Sequence, residues 1–93
     1  MKLVFKDTFI SRLESQIEFI AKDSPSNARK FKSALLKKIK AIPGHPYQYR
    51  KSIYFEDETI RDLIFKGYTI VFRIAENRIE VFGLVKYQKD PTD

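Results

Sequence analysis

The chain has 93 residues, with 18 Lys and Arg against 12 Asp and Glu, a formal charge of +6, and no cysteine. That length suits a single domain, 1–93, with one modest core, and the missing cysteine excludes disulfide staples and thiolate-held metals. No apolar run approaches the length of a membrane span and none reads as a signal peptide, so a cytoplasmic protein with no membrane partner is expected; a small basic chain favours an acidic partner, nucleic acid or protein.

In chain order, the first element is the run Lys2 to Lys6 (KLVFK), a short strand bounded by Asp7 and Thr8. Either of those two residues can cap the helix that follows, whose apolar stripe is Phe9, Leu13, Ile17 and Ile20. Ser24-Pro25 stops it and starts a second helix, with Ser as cap and Pro in the first turn. Its stripe is Ala28, Phe31, Leu35, Ile39 and Ile42, and Pro43-Gly44 ends it. So short a connection makes the two helices an antiparallel pair, with a joint apolar stripe that needs a sheet to cover.

The last third supplies that sheet. Two turn signals, Lys66-Gly67 and Glu76-Asn77, divide residues 60–86 into three strands. A two-residue loop at Glu76-Asn77 sets Ile74 against Ile79, Phe72 against Val81, Ile70 against Gly83 and Tyr68 against Val85. On the opposite face it pairs Arg73 with Glu80, Val71 with Phe82 and Thr69 with Leu84. The turn at Lys66-Gly67 sets Leu63 against Ile70 and Asp62 against Val71. The expected fold class is α+β, in the order β-α-α-β-β-β, with a helical hairpin on one face of an antiparallel sheet.

Chemical signatures are sparse. His45, between Gly44 and Pro46, is the single histidine and reads as a loop residue. Glu56, Asp57 and Glu58 read as an acidic solvated turn. There is no glycine-rich phosphate loop and no nucleophile-histidine-carboxylate set, and no cofactor is implied. The cations of the second helix, Arg29, Lys30, Lys32, Lys37, Lys38 and Lys40, lie mostly off its apolar stripe, as on an ordinary solvated face. The segment Tyr47-Gln48-Tyr49-Arg50-Lys51, with Tyr54 and Phe55 behind it, mixes rings with cations. That mixture suits base stacking and phosphate binding, and equally suits a loop that covers the sheet's end.

The succession of strand, helical hairpin and three-stranded meander, with Arg61 in its first strand, the Gly67-Tyr68 turn, the run Ile70-Val71-Phe72-Arg73 and a basic ending before Asp90-Pro91, resembles the RelE/ParE superfamily of type II toxins. Residues 60–74 (IRDLIFKGYTIVFRI) carry the most specific part of the resemblance. It implies a toxin encoded beside an acidic antitoxin that wraps and silences it. It also implies one of two targets. RelE-like members cut mRNA on the ribosome without a metal, which needs a base, an acid and cations for the phosphorane charge; ParE-like members poison DNA gyrase by binding it.

Where RelE-like nucleases carry an Arg after the Gly-Tyr turn, this chain has Thr69, so the resemblance points to the ParE-like branch. If the chain were a nuclease, its catalytic residues would be Arg61, Arg73, Lys86, Tyr87 and Lys89. Arg73, flanked by Glu80 and Asp62, reads instead as a structural ion pair, and Arg61 falls on the helix-facing side, where it can anchor the sheet's rim. Candidates for target binding are Tyr49, Arg50, Lys51, Lys86, Tyr87 and Lys89. The sheet face turned away from the helices is expected to bear an apolar strip of Val71, Phe82 and Leu84, the candidate antitoxin-binding residues. A third reading is an inactive relative that acts only in antitoxin binding, reaching operator DNA solely through that complex.

Overall fold

The computed structural model describes residues 1–86. Its elements are β1 (Lys2–Phe5), α1 (Asp7–Asp23), α2 (Pro25–Lys40), β2 (Arg50–Lys51), β3 (Ile60–Phe65), β4 (Tyr68–Ala75) and β5 (Arg78–Lys86), with two short 3₁₀ turns between α2 and β2. They form a five-stranded sheet in the order β1-β5-β4-β3-β2, and both helices pack on one of its faces. The expected α+β architecture is present, with two differences. β1 runs parallel to β5, pairing Lys2 with Arg78 and Phe5 with Val81, so the sheet is mixed and β1 is an edge. A fifth strand, the two-residue β2, pairs Arg50 with Asp62 and Lys51 with Arg61.

The core lies between the sheet and the helical hairpin. Phe9 and Leu13 from α1 and Phe31, Leu35 and Ile39 from α2 meet Leu63, Phe65, Ile70, Phe72, Ile74, Ile79 and Val81, all less than a tenth exposed. Ile42 belongs to this core although the α-helix stops at Lys40; the 3₁₀ turn Ile42–Gly44 carries it in. Ser24 caps α2 as expected, its hydroxyl accepting from the Asn27 N–H at 3.1 Å with Pro25 in the first turn. The α1 cap differs. Lys6 holds the cap position without a side-chain bond, and Asp7 sits in the first turn, where a carboxylate faces the positive end of the helix dipole. The Thr8 hydroxyl donates instead to the Phe82 carbonyl at 2.7 Å, tying α1 to the free edge of β5 beyond the end of β1.

Both hairpin loops have two residues. Lys66 and Gly67 take φ of 46° and 83°, the left-handed pair that matches strand twist, and Asn77 takes 62°. The β3–β4 register is as expected, with Leu63 opposite Ile70 and Asp62 opposite Val71. The β4–β5 register holds for Ile74 with Ile79, Arg73 with Glu80 and Phe72 with Val81, then shifts by one residue. A β-bulge at Phe82 leaves that residue unpaired, so Val71 faces Gly83, Ile70 faces Leu84, Thr69 faces Val85 and Tyr68 faces Lys86. The approach beside it is close: a Cβ on residue 83 would stand 3.1 Å from the Val71 Cβ, so any larger residue there requires Val71 to give by a few tenths of an ångström.

Two substitutions test this contact. Gly83→Ala is expected to cost about 1–3 kcal/mol by overpacking, and Val71→Ala in the same chain is expected to remove most of that cost. Denaturant unfolding of the four members of the cycle measures the coupling.

Candidate functional site

The bulge redistributes the residues expected on the reverse sheet face. Leu84 turns into the helix-side core, 6% exposed, and so does not belong to a strip with Val71 and Phe82. Val71 stays on the reverse face but is 2% exposed, as are Ile60 and Asp62, while Phe82 is half-buried. The cover comes from the chain itself. Residues 52–59 cross the reverse face, and the Phe55 ring meets Phe82 edge-on with centroids 5.7 Å apart.

Asp62 fixes that segment. Its side chain is fully buried, and Oδ2 accepts from Arg50 Nε at 3.2 Å, Arg50 Nη2 at 3.1 Å and the Ile53 N–H at 3.2 Å. The sequence placed Asp62 beside Arg73; its cation is Arg50, brought opposite by β2. Further along, the Asp57 carboxylate accepts from the Thr59 hydroxyl at 2.6 Å and the Thr59 N–H at 2.8 Å, which holds its carboxyl below the usual range. Ser52 N–H donates to the Ile60 carbonyl, closing the loop at the sheet.

So pinned, the loop turns a second set of apolar side chains outward. Ile53 is 68% exposed, Tyr54 46%, Phe55 45%, and Ile64 on β3 53%. Tyr54 divides two shallow apolar grooves, one toward Ile64 and Thr69, the other toward Phe82 and Val85. Exposed apolar surface concentrated on one face is the mark of an interaction site. The reverse face therefore does present an apolar surface, made by a loop and not by the bare strands.

The residues nominated for catalysis are dispersed. Arg61 lies on the helix-facing side, as its alternation predicts, and its guanidinium is occupied by chain carbonyls. Nε donates to Glu58 O at 2.8 Å, Nη1 to Tyr49 O at 3.1 Å and to Tyr47 O at 3.4 Å, and the group stacks over the Tyr47 ring at 5.0 Å. Arg73 is exposed and opposite Glu80, yet the carboxylate of Glu80 is taken by Arg78 at 2.7 Å and approached by Lys6 at 3.8 Å. The Arg78 hydrogen bond holds the Glu80 carboxyl below its ordinary value, so Glu80 is a poor proton donor near neutrality. Lys86 Nζ stands over the Phe19 ring at 5.3 Å, and Tyr87 and Lys89 lie outside the described residues. Burial pushes the Tyr68 hydroxyl up, keeping it protonated.

Of the other target-binding candidates, Tyr49 packs edge-on against Phe72 in the core, Arg50 is held by Asp62, and Lys51 pairs with Glu58 at 2.9 Å in solvent. Of the rings of residues 47–55, Tyr49 packs against the core while Tyr47, Tyr54 and Phe55 stay exposed. Among the described residues no cluster of His, Cys, Asp or Glu is placed to hold a metal, and no helix is long and apolar enough to cross a membrane.

This fold agrees with that of a known class of small toxins. The family model for the ParE toxin of type II toxin–antitoxin systems matches residues 3–91, and the chain belongs to that family. A chain of the chromosomal ParDE toxin–antitoxin system from P. aeruginosa superposes with a TM-score of 0.78 at 15% identity, over 95% of this chain and 97% of that one. No curated protein matches.

The Arg50–Asp62 pair offers a direct test. Arg50→Ala leaves a desolvated carboxylate without its cation and is expected to cost about 2 kcal/mol. Asp62→Asn in the same background is expected to restore part of that loss in denaturant unfolding.

Proposed function

We propose that this chain is the toxin of a type II pair, that it acts in the cytoplasm by binding DNA gyrase rather than by chemistry, and that an acidic antitoxin silences it. The observation that carries the reading is the use made of the reverse sheet face. A metal-free ribonuclease needs a base, an acid and free cations converging on one phosphate. Here that face is laid over with Ile53, Tyr54 and Phe55, while Arg61 is spent on loop carbonyls on the other side. Apolar and aromatic side chains above a fixed backbone are what a protein partner recognises.

The antitoxin is expected to lay an amphipathic segment along the two apolar grooves beside Tyr54. Ile53→Asp and Phe82→Asp each place a carboxylate in that surface. Both are expected to weaken antitoxin binding at least tenfold. Ile53→Asp, at a solvent-exposed position, should leave the unfolding midpoint nearly unchanged. Equal losses of binding and stability for both variants would make the surface part of the fold alone.

Target choice is read by adding the purified chain to gyrase and, separately, to a translation reaction. Supercoiling is expected to stop with transcripts intact. Cut transcripts with gyrase unaffected would establish the ribonuclease, and neither effect would leave a regulator that only binds its antitoxin.

A further inference from the structure

The charge of this protein is not spread over its surface. α2 holds six of the 18 Lys and Arg, namely Arg29, Lys30, Lys32, Lys37, Lys38 and Lys40, and contains no Asp or Glu. Eighteen less six leaves twelve cations elsewhere, against twelve carboxylates, so the whole net charge of +6 resides on one helix. All six side chains are exposed. Among the described residues there are four ion pairs, and none involves α2.

Helical geometry sharpens the pattern. At about 100° per residue, Arg29, Lys30, Lys37 and Lys40 fall in an arc roughly 100° wide, opposite the buried stripe of Phe31, Leu35 and Ile39. They form a row about 16 Å long at 1.5 Å per residue, with Ser26 and Ser33 on the same outward line. Lys32 lies outside this row, in a groove shared with Glu14 and Glu18 of α1.

We infer that the outward face of α2 is a binding surface for the phosphate backbone of duplex DNA. A row of cations on a rigid rod, unpaired among the described residues and about half a turn of B-DNA in length, matches the sign of a polyphosphate strand and gains from release of its counterions. Two features separate this ligand from others. The row carries no exposed aromatic side chain, since Phe31 points into the core, so it offers nothing for the unstacked bases of a single strand. It also carries no exposed large apolar side chain to anchor an acidic peptide, unlike the loop surface around Tyr54. Binding is therefore electrostatic and indifferent to sequence. α2 and the 52–59 loop lie on opposite faces of the sheet, so DNA and a protein partner fit at once.

The inference stands apart from the gyrase reading, and its test contains no gyrase. Binding of the full chain to a fluorescent 20-base-pair duplex is measured by anisotropy from 50 to 200 mM salt. With four phosphates engaged, log K against log salt is expected to fall with a slope of about −3.6, a loss of affinity of about 100-fold across that range. The variant R29Q/K30Q/K37Q/K40Q is expected to abolish most of that slope. A control of equal charge, K2Q/K22Q/K66Q/R73Q, alters exposed cations elsewhere and is expected to keep most of it. Circular dichroism establishes that both variants are folded. Absence of duplex binding at 50 mM salt, equal loss in both variants, or equally tight binding of a polyglutamate peptide of matched charge would each overturn the assignment.

Discussion

A sheet of alternating side chains has two faces, and a helical hairpin covers one. In this chain β3 and β4 carry buried apolar residues on both faces, with Leu63, Ile70 and Phe72 toward the helices and Ile60 and Val71 away from them. The second set needs a roof, and the segment after β2 provides it because the buried carboxylate of Asp62 gathers the Arg50 guanidinium and the Ile53 N–H above the sheet. A fully desolvated carboxylate is tolerable only with such partners. The same contacts to Asp62 Oδ2, made while Oδ1 stays buried without a partner, set the height and direction of Ile53, Tyr54 and Phe55, and with them the outer surface of the molecule.

The loop roofs the reverse sheet face and presents an apolar platform in its place, while the outward side of α2 carries the excess positive charge. One molecule thus shows two unlike surfaces back to back, one apolar and aromatic and one strongly cationic. The chain belongs to the ParE toxin family and shares its fold with a chain of a ParDE system.

What the sequence revealed is what local rules govern. The helix stripes, the Ser24-Pro25 junction and the loops at Lys66-Gly67 and Asn77 each depend on residues a few positions apart, and all appear where periodicity and turn chemistry put them. The bulge was hidden because it arises between Val71 and Gly83, whose fit depends on tertiary contact and leaves no mark on the hydrophobic alternation. One inserted residue was enough to move Leu84 from the outer face to the core. β2 was equally hidden, since two residues carry no period, and without β2 nothing in the chain identifies Arg50 as the partner of Asp62. The signal present was compositional: a buried Asp in an apolar strand requires a cation, and since its neighbour Arg61 lies on the opposite strand face, the next cations upstream are the basic pair Arg50-Lys51.

The parallel ladder between β1 and β5 has a consequence for biogenesis. Lys2 pairs with Arg78 and Phe5 with Val81, so the strand translated first waits for one translated much later, across two helices and three intervening strands. Contacts so distant along the chain form slowly, and this one cannot begin closing while β5 is still inside the ribosome. Until then the sheet lacks its edge, and the α1 side chain of Thr8 lacks the Phe82 carbonyl it bonds in the finished molecule. In a nascent chain of this topology the N-terminal edge of the sheet is therefore among the last parts to close, although its strand is the first to be made.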